Sequence, residues 1–197
     1  MAFNPSGFTN GADHAFHPVE QVSWNDIRGS YLTWPGSVPD PTSFLGRLRA
    51  RTGIGIDLST EAQWEYACRA GTVSALNSGR DLFSTNADAG MDQVGWYIGN
   101  HTNEGDFGTH AVGLKSGNSW SLFDMHGNVG EWTLDSFGFY TGDEIDPVGP
   151  AAAWGRAVRS GGWGCTADRC RSAWRVPVGA SDRYNTTGFR LAAPTTD

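Results

Sequence analysis

Three cysteines in 197 residues are too few for a disulfide framework, and an odd number leaves at least one thiol unpaired. Basic residues are sparse as well. Fourteen Lys and Arg against 21 Asp and Glu give a net charge of −7, and the arginines near 156–190 are interleaved with apolar residues. A nucleic-acid partner needs clustered cations to neutralise phosphates, so that class is excluded. No stretch approaches the ~18 consecutive apolar residues of a membrane span. The opening "MAFNPSGFTNGADHAF" has neither a basic nor an apolar signal region, which makes a cytoplasmic location the default expectation. GxSxG, a P-loop, a CxxC pair and HExxH are all missing, which removes the common hydrolase, phosphate-cradling, thiol-redox and zinc-peptidase readings.

Glycine and aromatic residues are what the chain has in plenty. Its 27 Gly are about twice the usual ~7% share, and nine Trp accompany them. That combination predicts short elements, many turns with positive φ and a core filled by large rings. The length suits one domain able to bury a real core.

Residues 1–15 read as an irregular leader, 16–193 as the domain and 194–197 as a tail. "VEQVSWNDIRGSYLTW" begins as a strand and passes into a helix capped at Ser23 or Asn25. In "DPTSFLGRLRARTG", Asp40 can cap, Pro41 suits the first turn, Phe44, Leu45 and Leu48 share an apolar face, and Gly53 can end the helix. "GIDL" reads as a short strand. "STEAQWEYACRAG" is the clearest helix, with Thr60 and Gln63 as a capping box and Gly71 as the stop. Residues 71–118 read as long loops with short strands at "VGWYI" and "HAVGL". "SLFDMHGNVGEWTLD" is a turn and a strand, and "RAVRSGGW", "CRSAWRV" and "TGFRLAA" are three more strands. Helices first and a loop-rich antiparallel sheet afterwards make an α+β layout.

Five stretches in this order, "HPVEQVSWNDI", "DLSTEAQWEYACRAGT", "SLFDMHGNVGEWT", "RAVRSGGW" and "CRSAWR…GFRLA", resemble the formylglycine-generating enzyme / sulfatase-modifying-factor family. The resemblance covers residues 16–193 and implies a C-type-lectin-like fold. The family divides into oxidases that convert a substrate cysteine to formylglycine with two copper-binding cysteines, relatives without that pair, and the variable proteins of diversity-generating retroelements.

Cys165 and Cys170 have the oxidases' spacing, and two adjacent thiolates suit the soft ion Cu(I). Their surroundings differ. "GGW" stands where the oxidases have "GGS", and, counted back from Arg175, the cysteine-bearing insert is about four residues short. Cys170 in "CRSAWR" therefore reads as a small packed residue, with Cys165 in an exposed loop or bridged to it. Cys68, within the capped helix, reads as core.

The C-terminal segment alternates fixed small, Arg and Gly-Phe residues with positions of free character, as the retroelement variable proteins do. By that resemblance the binding positions are Trp163, Thr166, Asp168, Trp174, Val176, Pro177, Val178, Ser181, Asp182, Tyr184, Asn185 and Thr186, and the ligand is a protein or cell-surface molecule. Trp, Tyr, Asn, Ser and Asp are residue types that paratopes favour. Arg171, Arg175 and Arg190 read as hydrogen-bonded scaffold. "DMHGNVGEW" resembles the family's calcium loop, which assigns Ca²⁺ to the side chains of Asp124 and Glu131 and the carbonyls of Gly127 and Val129. The alternative throughout is a copper-dependent oxidase acting through Cys165 and Cys170.

Overall fold

A computed structural model describes residues 4–9, 14–30, 37–100, 107–151 and 154–193. Four short helices precede the strands: α1 (Trp24–Arg28), α2 (Phe44–Thr52), α3 (Glu61–Arg69) and α4 (Met91–Val94). The strands are β1 (Gly95–Trp96), β2 (His126–Gly127), β3 (Gly130–Ser136), β4 (Arg156–Arg159), β5 (Val176–Val178) and β6 (Thr187–Gly188).

Caps decide where the helices begin. Ser23 and Asp26 cap α1 reciprocally, and Thr60 and Gln63 do the same for α3. No strand precedes α1, because Gln21 sits at φ 58 and turns the backbone so that its N–H reaches the Tyr184 carbonyl. Ser43, and not Asp40, caps α2; Asp40 instead closes a turn through the Thr42 N–H and hydroxyl. Leu45 is fully buried and Leu48 packs beside it, whereas Phe44 turns outward against Phe189. Helix α3 stops one residue earlier than expected, at Ala70 in the left-handed region.

The main sheet has the order β5-β4-β3-β6, antiparallel except for the parallel β3–β6 pair. Its centre is β3, buried along its whole length, which means both faces are covered. Trp132 and Leu134 join Val22, Trp24, Ile27, Leu45, Leu58 and Val158 in the larger core. The opposite face sends Glu131 to Trp64 and Asp135 to the start of α3, as side chains two apart must share a side. Strands at "HAVGL" and over "CRSAW" do not form; those residues lie in turns, and "GIDL" is reduced to one bridge between Asp57 and Ala192. A second core gathers Leu76, Met91, Val94, Tyr97, Ala167 and Cys170.

The described part of the leader is attached to the domain. The Gly7 and Phe8 N–H groups donate to Glu20 Oε1, and the Phe8 ring meets Trp163 edge-on at 5.7 Å. Residues 1–3, 10–13 and the tail from 194 lie outside the described residues.

The parallel β1–β2 contact is tight enough to require glycine. Gly127 has φ 73, and a Cβ there would stand 2.0 Å from the Trp96 carbonyl oxygen. Gly53 has φ 70 with open space around it. Gly53→Ala therefore costs about 1 kcal/mol, the left-handed penalty alone. Gly127→Ala adds a backbone collision and is expected to cost more than about 3 kcal/mol in urea unfolding.

Candidate binding face and the cysteine pair

The three cysteines are free. Cys170 is fully buried, and burial pushes its thiol well above the usual range, with Cys165 and Asp168 adding to the rise. Its Sγ faces the Gly162 carbonyl at 4.0 Å, and its own carbonyl contacts His126 Nδ1 at 2.7 Å. Cys165 is neither exposed nor bridged: it is half-buried against the second core, and its carbonyl accepts the Ile98 N–H. Cys68 is core, with burial raising its thiol to about 11. A copper site needs accessible thiolates, and a thiol held protonated inside an apolar cluster is the opposite condition. The pair as placed does not fit Cu(I).

His126 is fully buried, with its Nε2 accepting the Asn77 N–H and burial lowering its pKa to about 4. It holds the loop around Asn77 and the Cys170 carbonyl as a neutral ring.

The positions of free character fall into two groups. Trp163, Asn185 and Thr186 come together, with Trp163 Nε1 donating to the Asn185 carbonyl at 3.0 Å and Gly162 packing under Thr186. Tyr184 and Ser181 are exposed beside them, and the Tyr184 hydroxyl lies 3.5 Å from Asp182. The Arg183 side chain pairs with Asp26 and tethers this turn to α1. The second group forms around Trp174, which packs beneath the guanidinium groups of Arg169 and Arg171; Arg171 also donates to the Asp168 carbonyl. Thr166 stands at the N-cap position of the one-turn helix that leads into it, without a side-chain capping bond. Val176, Pro177 and Val178 form the edge strand β5, a place where a proline removes no needed ladder bond. Val176 and Val178 also lean on the larger core, so they carry scaffold as well as surface.

The scaffold arginines are engaged as expected. Arg175 donates to Glu61 from Nε at 2.6 Å and from Nη2 at 2.5 Å, and Arg190 grips both oxygens of Glu131. The second pair bears on calcium. Glu131 also accepts the Trp64 indole N–H, while Arg190 reaches the Phe123 and Asp124 carbonyls. The loop oxygens thus converge on a guanidinium. The Gly127 carbonyl takes the Ser160 hydroxyl, and Val129 is buried. Asp124 keeps one buried oxygen without a hydrogen bond, and burial raises its pKa. With both Glu131 oxygens held by Arg190 and the Gly127 carbonyl taken by Ser160, the oxygens of Asp124, Gly127, Val129 and Glu131 fall short of the six to eight that Ca²⁺ takes, and this arrangement does not fit the ion. Among the described residues no group of three His, Cys, Asp or Glu gathers as a metal site.

No motif in the sequence singles out Asp135. Its Oδ2 accepts the Glu61 N–H at 2.5 Å across 74 residues of chain. Burial pushes this carboxyl up to about 6, with the nearby Glu61 charge adding to the rise.

A small mixed sheet, capped short helices and long ordered loops define a C-type-lectin-like α+β domain of the formylglycine-generating-enzyme type. Residues 4–195 match the sulfatase-modifying factor enzyme 1-like domain, and the chain belongs to that family. It is 30% identical to the formylglycine-generating enzyme of Mus musculus over 191 residues, covering 92% of this chain and 46% of that protein. It is 29% identical to the inactive C-alpha-formylglycine-generating enzyme 2 of Mus musculus, covering 89% and 49% respectively. The chain therefore spans about half the length of these curated relatives. Among solved structures, Treponema denticola variable protein 1 superposes with a TM-score of 0.74 at 28% identity, over 98% of this chain and 78% of that one.

Two measurements check this chemistry. In the native protein iodoacetamide is expected to modify Cys165 first and to reach Cys68 and Cys170 only after denaturation; rapid native labelling of Cys170 would reveal a thiolate. Asp135 bears a folded-state pKa above its unfolded value, so its contribution is favourable below pH 3.8 and is lost as pH rises through about 6. Asp135→Asn removes that loss while keeping an oxygen for the Glu61 N–H. The variant is expected to gain stability on the order of 3 kcal/mol at pH 7.5, shrinking towards zero at pH 3.8, in urea titrations at each pH.

Proposed function

We propose that this domain is a ligand-binding protein that displays a C-terminal recognition face on a lectin-like scaffold, in the manner of the retroelement variable proteins it resembles. The carrying observation is the fixed attitude of Trp163. It is half-exposed, yet its indole N–H is bound to the Asn185 carbonyl and its ring is braced by Phe8. A large ring held in one orientation loses little entropy on binding. Around it, Ser181, Asp182, Tyr184, Asn185 and Thr186 offer polar groups for a protein or cell-surface ligand. The second group, with Asp168 and Trp174, offers another aromatic anchor. The likeness to Treponema denticola variable protein 1 over nearly the whole chain supports the same reading.

The competing reading is a copper-dependent formylglycine-generating oxidase, supported by the enzymes among the relatives and by the Cys165–Cys170 spacing. The burial of Cys170 weighs against it.

Two experiments separate the readings. A library randomised at Asp168, Ser181, Asp182, Tyr184 and Asn185, displayed on yeast and selected against lysozyme, is expected to yield binders. Most unselected members should melt within about 5 °C of the parent, because surface changes of this kind cost only a few tenths of a kcal/mol. Widespread unfolding in the library overturns the display reading. Incubation with Cu(I), oxygen and a cysteine-containing sulfatase-type peptide is expected to leave the peptide unchanged. Aldehyde formation that disappears in Cys165→Ser establishes the oxidase instead.

A further inference from the structure

A cavity of about 560 Å³ opens between α3 and the loop over 138–150, a size typical of small-molecule sites. Three rings on its wall, Tyr66, Phe139 and Tyr140, are 69%, 89% and 72% exposed. Large rings left this open around a concavity are unfilled contact area.

The charges on the wall are unequally satisfied. Glu61 is neutralised by Arg175 and Arg159, and Glu65 by Arg159 and Arg69. Asp135, 2% exposed, makes no ion pair among the described residues. Burying a carboxylate without a direct ion pair is costly, and desolvation raises its pKa although the Arg175 charge nearby opposes the rise. At the rim Asp143 and Glu144 add negative charge, and the segment 137–150 contains no Lys or Arg. The wall already accommodates one organic cation: the Arg175 guanidinium lies 4.4 Å from the Phe137 ring centre and 4.3 Å from that of Tyr140.

We propose that this cavity is a second binding site, for a small organic cation whose amine or guanidine end pairs with Asp135 and whose body lies against Tyr66, Phe139 and Tyr140. The site is separate from the Trp163 recognition face and stands whether or not that face binds a protein. The bound cation supplies the direct ion-pair partner that Asp135 does not have among the described residues, and the rings supply apolar and cation–π contact.

The test is calorimetric titration of the whole chain at pH 7.5 in 150 mM salt with agmatine, spermidine and, as an uncharged control, butylurea. Saturable binding of agmatine or spermidine is expected, and none of butylurea. N-acetyl-arginine methylamide stands for a protein side chain; tighter binding of it than of agmatine assigns the source to a partner's arginine, and the reverse assigns it to a free amine. Asp135→Asn, which retains the helix-capping oxygen, should weaken binding about tenfold or more, the loss of one charged partner. Tyr140→Ala removes an exposed ring from outside both cores and should weaken it by a smaller factor.

Lowering the pH to 5 should weaken binding about tenfold, because Asp135 then binds a proton that the cation must displace. The charged groups facing it are Glu61 and Arg175, with Arg156 on β4 and Asp143 and Glu144 on the loop. No saturable binding of either amine overturns the proposal. So does binding unchanged in both variants, which would be diffuse attraction to a chain of charge −7. Equal binding of butylurea would mean an apolar cleft indifferent to charge, and also overturns it.

Discussion

Arg159 is wholly buried at the end of β4, and its guanidinium is divided between Glu61 and Glu65 on α3 and the carbonyls of Ser172 and Ala173. Helix, sheet and C-terminal segment meet on this one cation. With so little regular structure, few backbone groups satisfy one another through ladders, and side chains must take up the loop carbonyls. Removing Arg159 would leave the Ser172 and Ala173 carbonyls without this donor and take one of two cationic partners from each of Glu61 and Glu65, a cost on the order of 3 kcal/mol for a broken buried pair. Arg175 extends the network to the same Glu61 and to the Gly138 carbonyl. Arg190 repeats the device on Glu131, and Arg28 on Asp57.

The same economy explains the sulfurs and the surface. The segment from Cys165 to Ser172 is pulled inward by the Ala167 N–H to the Thr85 carbonyl, the Ser172 N–H to the Ala75 carbonyl and the Cys170 carbonyl to His126. Cys170 is thereby carried into an apolar cluster where a thiolate is disfavoured. Gly161, at φ 67, would place a Cβ 2.8 Å from the Cys170 sulfur, so the turn and the buried thiol are packed as one unit. What remains outside is the alternation of side chains around Trp163, Trp174 and Tyr184. Rigidity beneath and variety above is the arrangement a recognition surface requires.

Much of the local structure was legible in the chain. The α3 capping box, the αL glycine after α2, the strands at Gly130–Ser136 and Arg156–Arg159 and the burial of Cys68 follow from patterns a few residues long. The misreadings share a cause. "VEQV" and "CRSAWR" have strand-like composition, but each is claimed by contacts from far away: Gln21 by Tyr184, and Ser172 by Ala75. Composition cannot register such pulls, because β propensity reflects packing partners as much as backbone preference. The four-residue helix at Met91–Val94 is too short for any periodicity to announce it.

The candidate sites divide in the same way. The free positions from Trp163 to Thr186 could be assigned from the resemblance of one continuous segment to the variable proteins. Asp135 and its cavity could not, since Glu61, Asp135 and Arg175 come from three distant parts of the chain and no pattern along the sequence brings them together. Nor could the chain show that Glu131 is held by Arg190, 59 residues away. By itself the sequence determined the capping box of α3, the left-handed glycine after α2, the aromatic core and the family. Only the tertiary structure decided which carboxylates are neutralised and which thiols are buried, because charge pairing and desolvation depend on distances in space, not on separation along the chain.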